Sequence, residues 1–199
     1  MNVDLLVYVA HALFWGSFGL TRWFIQRSAN RLPSGGSDPA ASTSQAAPYS
    51  RALLVIHSLA FGAMYIGLGA AVLPNQVPVF FTGQRVVATL IITLGAWLTC
   101  WALLSFGSWR FRARLDEGHK LATGGPFKFV RHPIYLGLNL LALGTAVWVP
   151  TPIIWASLLL MFIGGDLRAR TEEKLLARVF GATYSEYCKN TSRFLPGIY

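Results

Sequence analysis

The stretch IYLGLNLLALGTAVWVPTPIIWASLLLMFIGG, residues 134–165, decides the fold class of this chain. It holds no Asp, Glu, Lys or Arg, and it is longer than the roughly 20 apolar residues that carry a helix across a bilayer. The segment Val-Pro-Thr-Pro at 149–152 interrupts it, and proline cannot continue the interior of a helix. We therefore predict two shorter membrane helices that form a tight hairpin.

Three further apolar runs precede this hairpin, at 5–21, 52–73 and 86–106. Each is long enough for a membrane helix. Together with the hairpin they predict an all-α integral membrane protein with about five transmembrane helices. Four spans with a re-entrant hairpin is the alternative. Residues 33–50, rich in Pro, Gly, Ser and Ala, are predicted to form a mobile loop.

The composition agrees with a membrane protein. Apolar residue types make up 54% of the 199 residues, and charged types make up 13% against a usual share of roughly 25%. The mean hydropathy is +0.47. These values exclude disorder, a collagen-like chain and a disulfide scaffold. The two cysteines, Cys100 and Cys188, form neither a disulfide framework nor a metal-binding pattern.

The formal charge of +9 is distributed unevenly along the chain. With five spans, all Lys and Arg residues except Arg85 fall on one side of the membrane. The positive-inside rule then places the N-terminus outside and the C-terminus in the cytoplasm. The clustering favours membrane lipids over nucleic acid as partner of the basic residues. The sequence holds no Rossmann or Walker-type glycine pattern.

The stretch LATGGPFKFVRHPIY, residues 121–135, points to chemistry. Gly124-Gly125-Pro126 predicts a turn, and Pro133 suits the first turn of a helix. The predicted helix N-terminus thus lies at the membrane interface beside Arg131 and His132. Free backbone N–H groups and the positive end of the helix dipole make such a position an anion site.

Helix lengths predict which residues face this site. The descending helix from Pro133 to Pro150 spans about 26 Å at ~1.5 Å per residue. Counting about 30 Å back along the partner helix from Pro152 reaches Glu172 and Glu173. The two glutamates are therefore expected close to the Arg-His pair at the start of the first helix.

The segments LATGGPFKFVRHPIYLG, RTEEKLL, FGATYSEY and FLPGIY, between Leu121 and Tyr199, resemble a known family. It is the isoprenylcysteine carboxyl methyltransferases, within a wider group of membrane methyltransferases that includes phospholipid methyltransferases. The resemblance divides the chain into a three-helix membrane region, 1–106, and a methyltransferase region, 107–199, which contains the hairpin 134–165. It implies S-adenosylmethionine as methyl donor, held in a cytoplasmic pocket built from the C-terminal half.

Carried over by motif, the resemblance implies a set of cofactor-binding residues. They are Gly125, Pro126, Phe127, Arg131, His132, Tyr135, Leu136, Glu172, Glu173 and Tyr184. Arg131, His132 and Glu172 are the candidate catalytic residues. A methionine carboxylate suits Arg131 and His132, while its ammonium and the ribose hydroxyls suit Glu172 or Glu173. A carboxylate acceptor needs only an orienting cation, such as Arg131 or Arg193, whereas an amine or thiol acceptor would make His132 a candidate base.

The sequence thus predicts an integral membrane S-adenosylmethionine-dependent methyltransferase. Its acceptor is lipophilic or small and enters from the bilayer, the carboxylate of an isoprenylcysteine being one candidate. One alternative is a sterol-reductase-like membrane enzyme that uses NADPH. Another is a haem-binding or scaffold protein without activity, in which His11 and His57 could pair as ligands. Neutral histidines packed between helices are the simpler interpretation of these two residues.

Overall fold

The computed structural model describes residues 3–29, 50–106 and 121–198. Within these residues the fold is all-helical, with no β-strand beyond an isolated bridge. The helices are α1 (Leu6–Ala29), α2 (Ser50–Val72), α3 (Gln84–Phe106), α4 (Pro133–Trp148) and α5 (Pro152–Asn190), and a 3-10 turn covers Gly125–Lys128. Residues 33–49 of the predicted mobile loop lie outside the described residues.

Three of the helices, α2, α3 and α5, are long and apolar enough to cross a membrane by length and composition. Helix α4 is apolar but has only 16 residues. Helix α1 has 24 residues and is not among the three. The described residues thus form a multi-pass membrane protein, while the count of five spans stays a prediction.

The start of α3 lies beside the beginning of α1 and the end of α4. We call this region the Arg85 end. Arg85 donates from Nε and Nη2 to the two carboxylate oxygens of Asp4, at 2.6 and 3.0 Å. The indole N–H of Trp148 donates to the same carboxylate at 3.0 Å, and Gln84 Nε2 donates to the Trp148 carbonyl at 3.2 Å. The beginning of α1, the beginning of α3 and the end of α4 therefore lie together, so α4 runs opposite to α1 and α3.

Small residues let α3 and α4 pack closely together. A Cβ on Gly137 would overlap the Thr99 hydroxyl and lie 2.8 Å from the Gly95 carbonyl oxygen. A Cβ on Gly144 would lie 2.9 Å from the Ala88 carbonyl oxygen. These neighbours include backbone carbonyl oxygens, which cannot move aside as a flexible side chain can, so the two helix axes approach this closely only because the positions lack side chains.

One apolar core joins all five helices. It contains Val7 from α1, Leu68 from α2, Ala88 from α3, Ala146 from α4 and Met161 from α5, each completely buried. The predicted three-helix region and the predicted methyltransferase region share this core. The division between the two regions stays a prediction.

Helix α5 consists of an apolar part and a charged part. Residues 152–165 carry no charge, and charged residues follow from Asp166 onward. The sequence favours a C-terminal stop at Gly181, and two helical pieces meet at a kink there, the second of which runs to Asn190. Gly181 has a φ of +51°, a conformation that side-chain-bearing residues rarely adopt. The glycine therefore forms the kink between the two helical pieces of α5.

Candidate active site at the start of α4

Glu173 lies at the centre of a charged cluster where α4 begins. Arg131 Nε lies 2.9 Å from Glu173 Oε1 and His132 Nε2 lies 3.3 Å from the same oxygen. Arg193 donates to both carboxylate oxygens, from Nε at 3.1 Å and from Nη2 at 2.7 Å. These distances confirm that the Glu-Glu pair lies close to the Arg-His pair. We call this region the Glu173 end.

The neighbours of Glu173 keep it ionised. Burial alone would raise the pKa of this carboxyl, but the neighbouring His132 ring and hydrogen bonds from Arg193 and Arg131 outweigh burial and hold the pKa well below its usual range. The side chains of Glu173, Arg131 and Arg193 are only 12–15% exposed. Removing one member of such an enclosed cluster leaves its partners with uncompensated charge.

Glu172 has different surroundings although it is the next residue. Tyr135 Oη donates to Glu172 Oε1 at 2.6 Å, and His132 Nδ1 lies 3.7 Å from Oε2. Arg168 Nη2 lies 3.8 Å from Oε1, too far for a direct hydrogen bond. The Glu172 side chain is 28% exposed against 13% for Glu173. Glu172 is thus the more accessible carboxylate and the one less occupied by cations.

Arg131 forms its hydrogen bonds with other residues of the protein. Besides Glu173, its Nη1 donates to the carbonyl oxygen of Thr191 and, at 3.4 Å, to that of Cys188. These bonds tie the start of α4 to the end of α5. Its predicted contact with a cofactor carboxylate stays a prediction, and the geometry shows Arg131 as a group that joins two helices.

The segment after α5 pairs with the segment before α4. The N–H of Arg131 donates to the Ser192 carbonyl at 2.8 Å, and the N–H of His132 donates to the Arg193 carbonyl at 3.2 Å. In return, Ser192 N–H donates to the Phe129 carbonyl at 3.3 Å. We did not predict this pairing, because backbone bonds between distant segments leave no local pattern. The one sequence feature that placed this segment near the site was Arg193, which we named as a possible orienting cation.

Gly125 is required by packing against α3. It has a φ of +57°, and a Cβ there would overlap the Ser105 side chain and lie 3.2 Å from Trp101 Nε1. No other residue type fits both constraints without a shift. The structure thus gives Gly125 a packing role, and its cofactor contact stays a prediction.

The aromatic residues of the motif connect the turn at Gly125–Lys128 to the end of α5. Phe127 is buried beside Phe106, with ring centroids 5.8 Å apart. The Tyr187 hydroxyl donates to the Phe127 carbonyl at 2.7 Å. Tyr184 is 3% exposed, and among the described residues its hydroxyl has no hydrogen-bond partner. A buried polar atom without a partner is unusual in a folded protein.

The remaining predicted site residues lie beside this cluster. Pro126 is buried in the 3-10 turn. Leu136 is half-buried in the first turn of α4, and its N–H donates to the His132 carbonyl at 3.1 Å. The predicted residues therefore gather at one end of the helices, around the first turn of α4.

The two intramembrane histidines differ from each other. His11 lies 2.9 Å from the Tyr65 hydroxyl through Nδ1 and 2.8 Å from the Thr145 hydroxyl through Nε2. With both nitrogens engaged, His11 has none free to bind haem iron. His57 is buried as well, but neither of its ring nitrogens has a partner in the part of the chain that the structure describes.

The fold and the site define a class, that of all-helical multi-pass membrane proteins with a charged cluster at one helix start. Residues 84–183 match the sequence model described as phospholipid methyltransferase. This match covers half of the chain, and the chain belongs to this family.

Curated relatives are similar over part of their length. A protein-S-isoprenylcysteine O-methyltransferase of Homo sapiens is 32% identical over 123 residues, which are 59% of this chain and 43% of that protein. The one of Schizosaccharomyces pombe is 29% identical over 124 residues, 59% of this chain and 52% of that protein. A probable one from Oryza sativa subsp. indica is 33% identical over 88 residues, 44% of this chain and 46% of that protein. The matches thus span about half of each relative.

A solved structure shares the fold. It is the eukaryotic intramembrane Ras methyltransferase ICMT (isoprenylcysteine carboxyl methyltransferase), with a TM-score of 0.56 and 21% identity. The match covers 75% of this chain and 54% of that one. The likeness confirms a helical membrane fold of the kind the sequence predicts.

Proposed function

We propose that this protein is an S-adenosylmethionine-dependent methyltransferase whose site lies at the Glu173 end. Its acceptor is lipophilic and reaches the site from the bilayer. The observation that carries the proposal is the partly exposed Glu172 carboxylate beside Tyr135 and the first turn of α4. The membership of the phospholipid methyltransferase family and the names of the curated relatives support it.

The residues at this end fit the chemical groups of S-adenosylmethionine. In the first turn of α4, Pro133 has no N–H and the Leu136 N–H donates to the His132 carbonyl. The N–H groups of Ile134 and Tyr135 are left to attract a carboxylate, with His132 beside them. Glu172 can accept hydrogen bonds from an ammonium or from ribose hydroxyls. The buried Tyr184 hydroxyl offers a further polar contact. When bound, the cofactor supplies an electrophilic methyl group.

The two glutamates have different roles in this proposal, one structural and one in cofactor binding. Glu173 holds Arg131 and Arg193 and so fixes the start of α4 against the chain end. Glu172 contacts the cofactor directly. The protein aligns the acceptor atom with the methyl group and keeps water away, which is the main requirement of a displacement at carbon. A carboxylate acceptor needs no base, only an orienting cation. Arg168 can supply this charge, since its ion-pair distance is the longest among the cations of the cluster.

In this proposal the chain has five spans of alternating direction, with the Glu173 end in the cytoplasm and the Arg85 end outside. The basic residues of the sequence support this orientation. The soluble cofactor would then enter from the cytoplasm, and the acceptor would approach between the membrane helices. The carboxylate of an isoprenylcysteine is the first acceptor to test, since the curated relatives are named for it.

Calorimetric titration of S-adenosylmethionine and S-adenosylhomocysteine into detergent-purified protein tests the site. We expect micromolar binding by the wild type and a loss of about tenfold to hundredfold in Glu172→Gln, because a charge-assisted bond is worth ~1.5–3 kcal/mol. Glu186→Gln is the matched control, since its side chain is 65% exposed and pairs with Lys189. Methyl transfer to N-acetyl-S-farnesylcysteine is measured in parallel.

Absence of S-adenosylmethionine binding by a folded wild type would contradict the proposal. Binding of NADPH in its place would favour the reductase alternative. Equal affinities of Glu172→Gln and Glu186→Gln would place the cofactor away from Glu172.

A further inference from the structure

The chain end inserts one aromatic side chain between α5 and the start of α4. Phe194 is 1% exposed, and it is the buried residue of the segment 191–198, whose other members are half-buried or exposed. Its ring centroid lies 6.0 Å from that of His132 and 5.8 Å from that of Phe162 on α5. The segment after α5 therefore contributes a buried ring to the Glu173 end.

Backbone hydrogen bonds hold Phe194 in place. The carbonyl of Arg193, the preceding residue, accepts from the N–H of His132 at 3.2 Å. The Ser192 hydroxyl oxygen accepts from the N–H of Gly197 at 2.8 Å, which closes a turn around Phe194. The backbone of Phe194 is thus fixed relative to the start of α4, and its ring has a defined position against His132.

The His132 ring connects Phe194 to the candidate cofactor site. Its centroid lies 5.7 Å from that of Tyr135, in a stacked arrangement with 21° between the ring planes. The Tyr135 hydroxyl donates to Glu172 Oε1 at 2.6 Å. Phe194 therefore reaches the Glu172 carboxylate through two side chains that pack on each other.

The orientation of the His132 ring also sets its distance from both glutamates. Nδ1 lies 3.7 Å from Glu172 Oε2, and Nε2 lies 3.3 Å from Glu173 Oε1. A side chain in a packed interior keeps one rotamer because its neighbours fill the space that the other rotamers need. Without the Phe194 ring, His132 would have room to turn, and Tyr135 would lose the surface on which it stacks.

We propose that Phe194 is a positioning residue of the cofactor site. It holds His132 against Tyr135, which keeps the Tyr135 hydroxyl on Glu172 and keeps that carboxylate in the orientation that binds S-adenosylmethionine. Phe194 acts through these side chains and not by contact with the cofactor. The inference rests on the proposed function and adds to its site an apolar residue of the chain end.

Calorimetric titration of S-adenosylmethionine into single and double variants tests this role. We expect Phe194→Ala to bind about tenfold more weakly than the wild type, close to the loss in Tyr135→Phe, because a hydrogen bond to a charged group is worth a factor of roughly ten or more. The double variant should bind about as well as Tyr135→Phe, since both changes act on the same contact. Losses that multiply in the double variant would overturn the inference, because Phe194 would then act independently of Tyr135.

Further variants separate positioning from stability. Phe194→Leu and Phe194→Val keep progressively less of the buried volume, so the affinity should fall in the order Phe, Leu, Val, Ala. Ile154→Ala removes a completely buried side chain near the start of α5, far from the site. It should lower the unfolding temperature, as Phe194→Ala does, and keep the wild-type affinity. If Phe194→Ala does not fold, Phe194→Leu and Phe194→Val decide the question.

Two outcomes distinguish failure of this inference from failure of the proposed function. Binding by the wild type with equal affinity in every folded Phe194 variant would overturn the inference alone. Absence of S-adenosylmethionine binding by a folded wild type would overturn the proposed function, and the inference with it.

Discussion

Glu172 and Glu173 are neighbours in sequence, yet they have different partners. Successive residues of a helix are rotated by about 100°, so one carboxylate meets Arg131 and Arg193 while the other meets Tyr135. This rotation separates a residue that holds the helices together from one that is available to a ligand.

The intramembrane histidines give a prediction at the scale of single residues. His11→Leu breaks hydrogen bonds to Tyr65 and Thr145 and leaves those hydroxyls without this partner, so it should lower the unfolding temperature in detergent. His57→Leu removes two nitrogens that have no partner in the described residues, so it should leave that temperature unchanged or raise it. Thermal unfolding of the two purified variants, measured without ligand, compares them. A lower temperature for His57→Leu than for His11→Leu would contradict the assigned contacts.

Close helix contact gives a prediction at the scale of elements. Gly137→Ala places a methyl group against the Thr99 hydroxyl and 2.8 Å from the Gly95 carbonyl oxygen, so α3 and α4 must move apart. We expect a loss of about 1–3 kcal/mol of stability, typical of overpacking. Gly62→Ala in α2 is the matched control, since nothing lies within 4 Å of its Cβ position. It should be neutral or slightly stabilising, because alanine favours helix.

Thermal unfolding in detergent measures both glycine variants. Equal unfolding temperatures for Gly137→Ala and Gly62→Ala would mean that α3 and α4 do not approach as closely as described.

The charged cluster that joins α4, α5 and the chain end predicts a dependence on pH. The folded-state pKa of Glu173 is lowered, so its stabilisation is present above the ordinary value of 4.5 and is lost as the pH falls below it. One such group contributes at most about 1.4 kcal/mol per pH unit. Glu173→Gln should therefore be less stable at neutral pH and lose less stability than the wild type on acidification below pH 4.5.

Unfolding temperatures recorded across this range test the cluster. The exposed variant Glu186→Gln should follow the wild type throughout, since its carboxylate is paired only at the surface. A Glu173→Gln curve parallel to that of the wild type would show that the cluster does not depend on this carboxylate.

At the scale of the whole molecule, the helices alternate in direction between the Arg85 end and the Glu173 end. A cysteine at exposed Gln76, in the connector before α3, should react with a membrane-impermeant maleimide added to intact cells. A cysteine at exposed Ser185, near the end of α5, should react only after the cells are opened. Both are made in a background where Cys100 and Cys188 are serine. Labelling of the Ser185 position in intact cells would reverse the proposed orientation.

Much of this arrangement follows from local sequence. Uncharged runs that are long enough to span a bilayer form helices, because backbone polar groups in lipid must form their hydrogen bonds within their own segment. Pro133 and Pro152 start α4 and α5 as the sequence predicts. The proximity of the two glutamates to the Arg-His pair follows from helix rise alone, since Pro133 lies about as far before Val-Pro-Thr-Pro as Glu172 lies after it.

The sequence by itself determined the helical membrane class, the helix starts at the prolines and the end at which the charged residues gather, because these depend on hydropathy and on a fixed rise per residue. Only the tertiary structure decided which glutamate each arginine holds, how the chain end pairs with the segment before α4, and that the Phe194 ring packs against His132. Those contacts join residues far apart in the chain. They depend on helix rotation and separation, which packing of side chains sets and which no local pattern records.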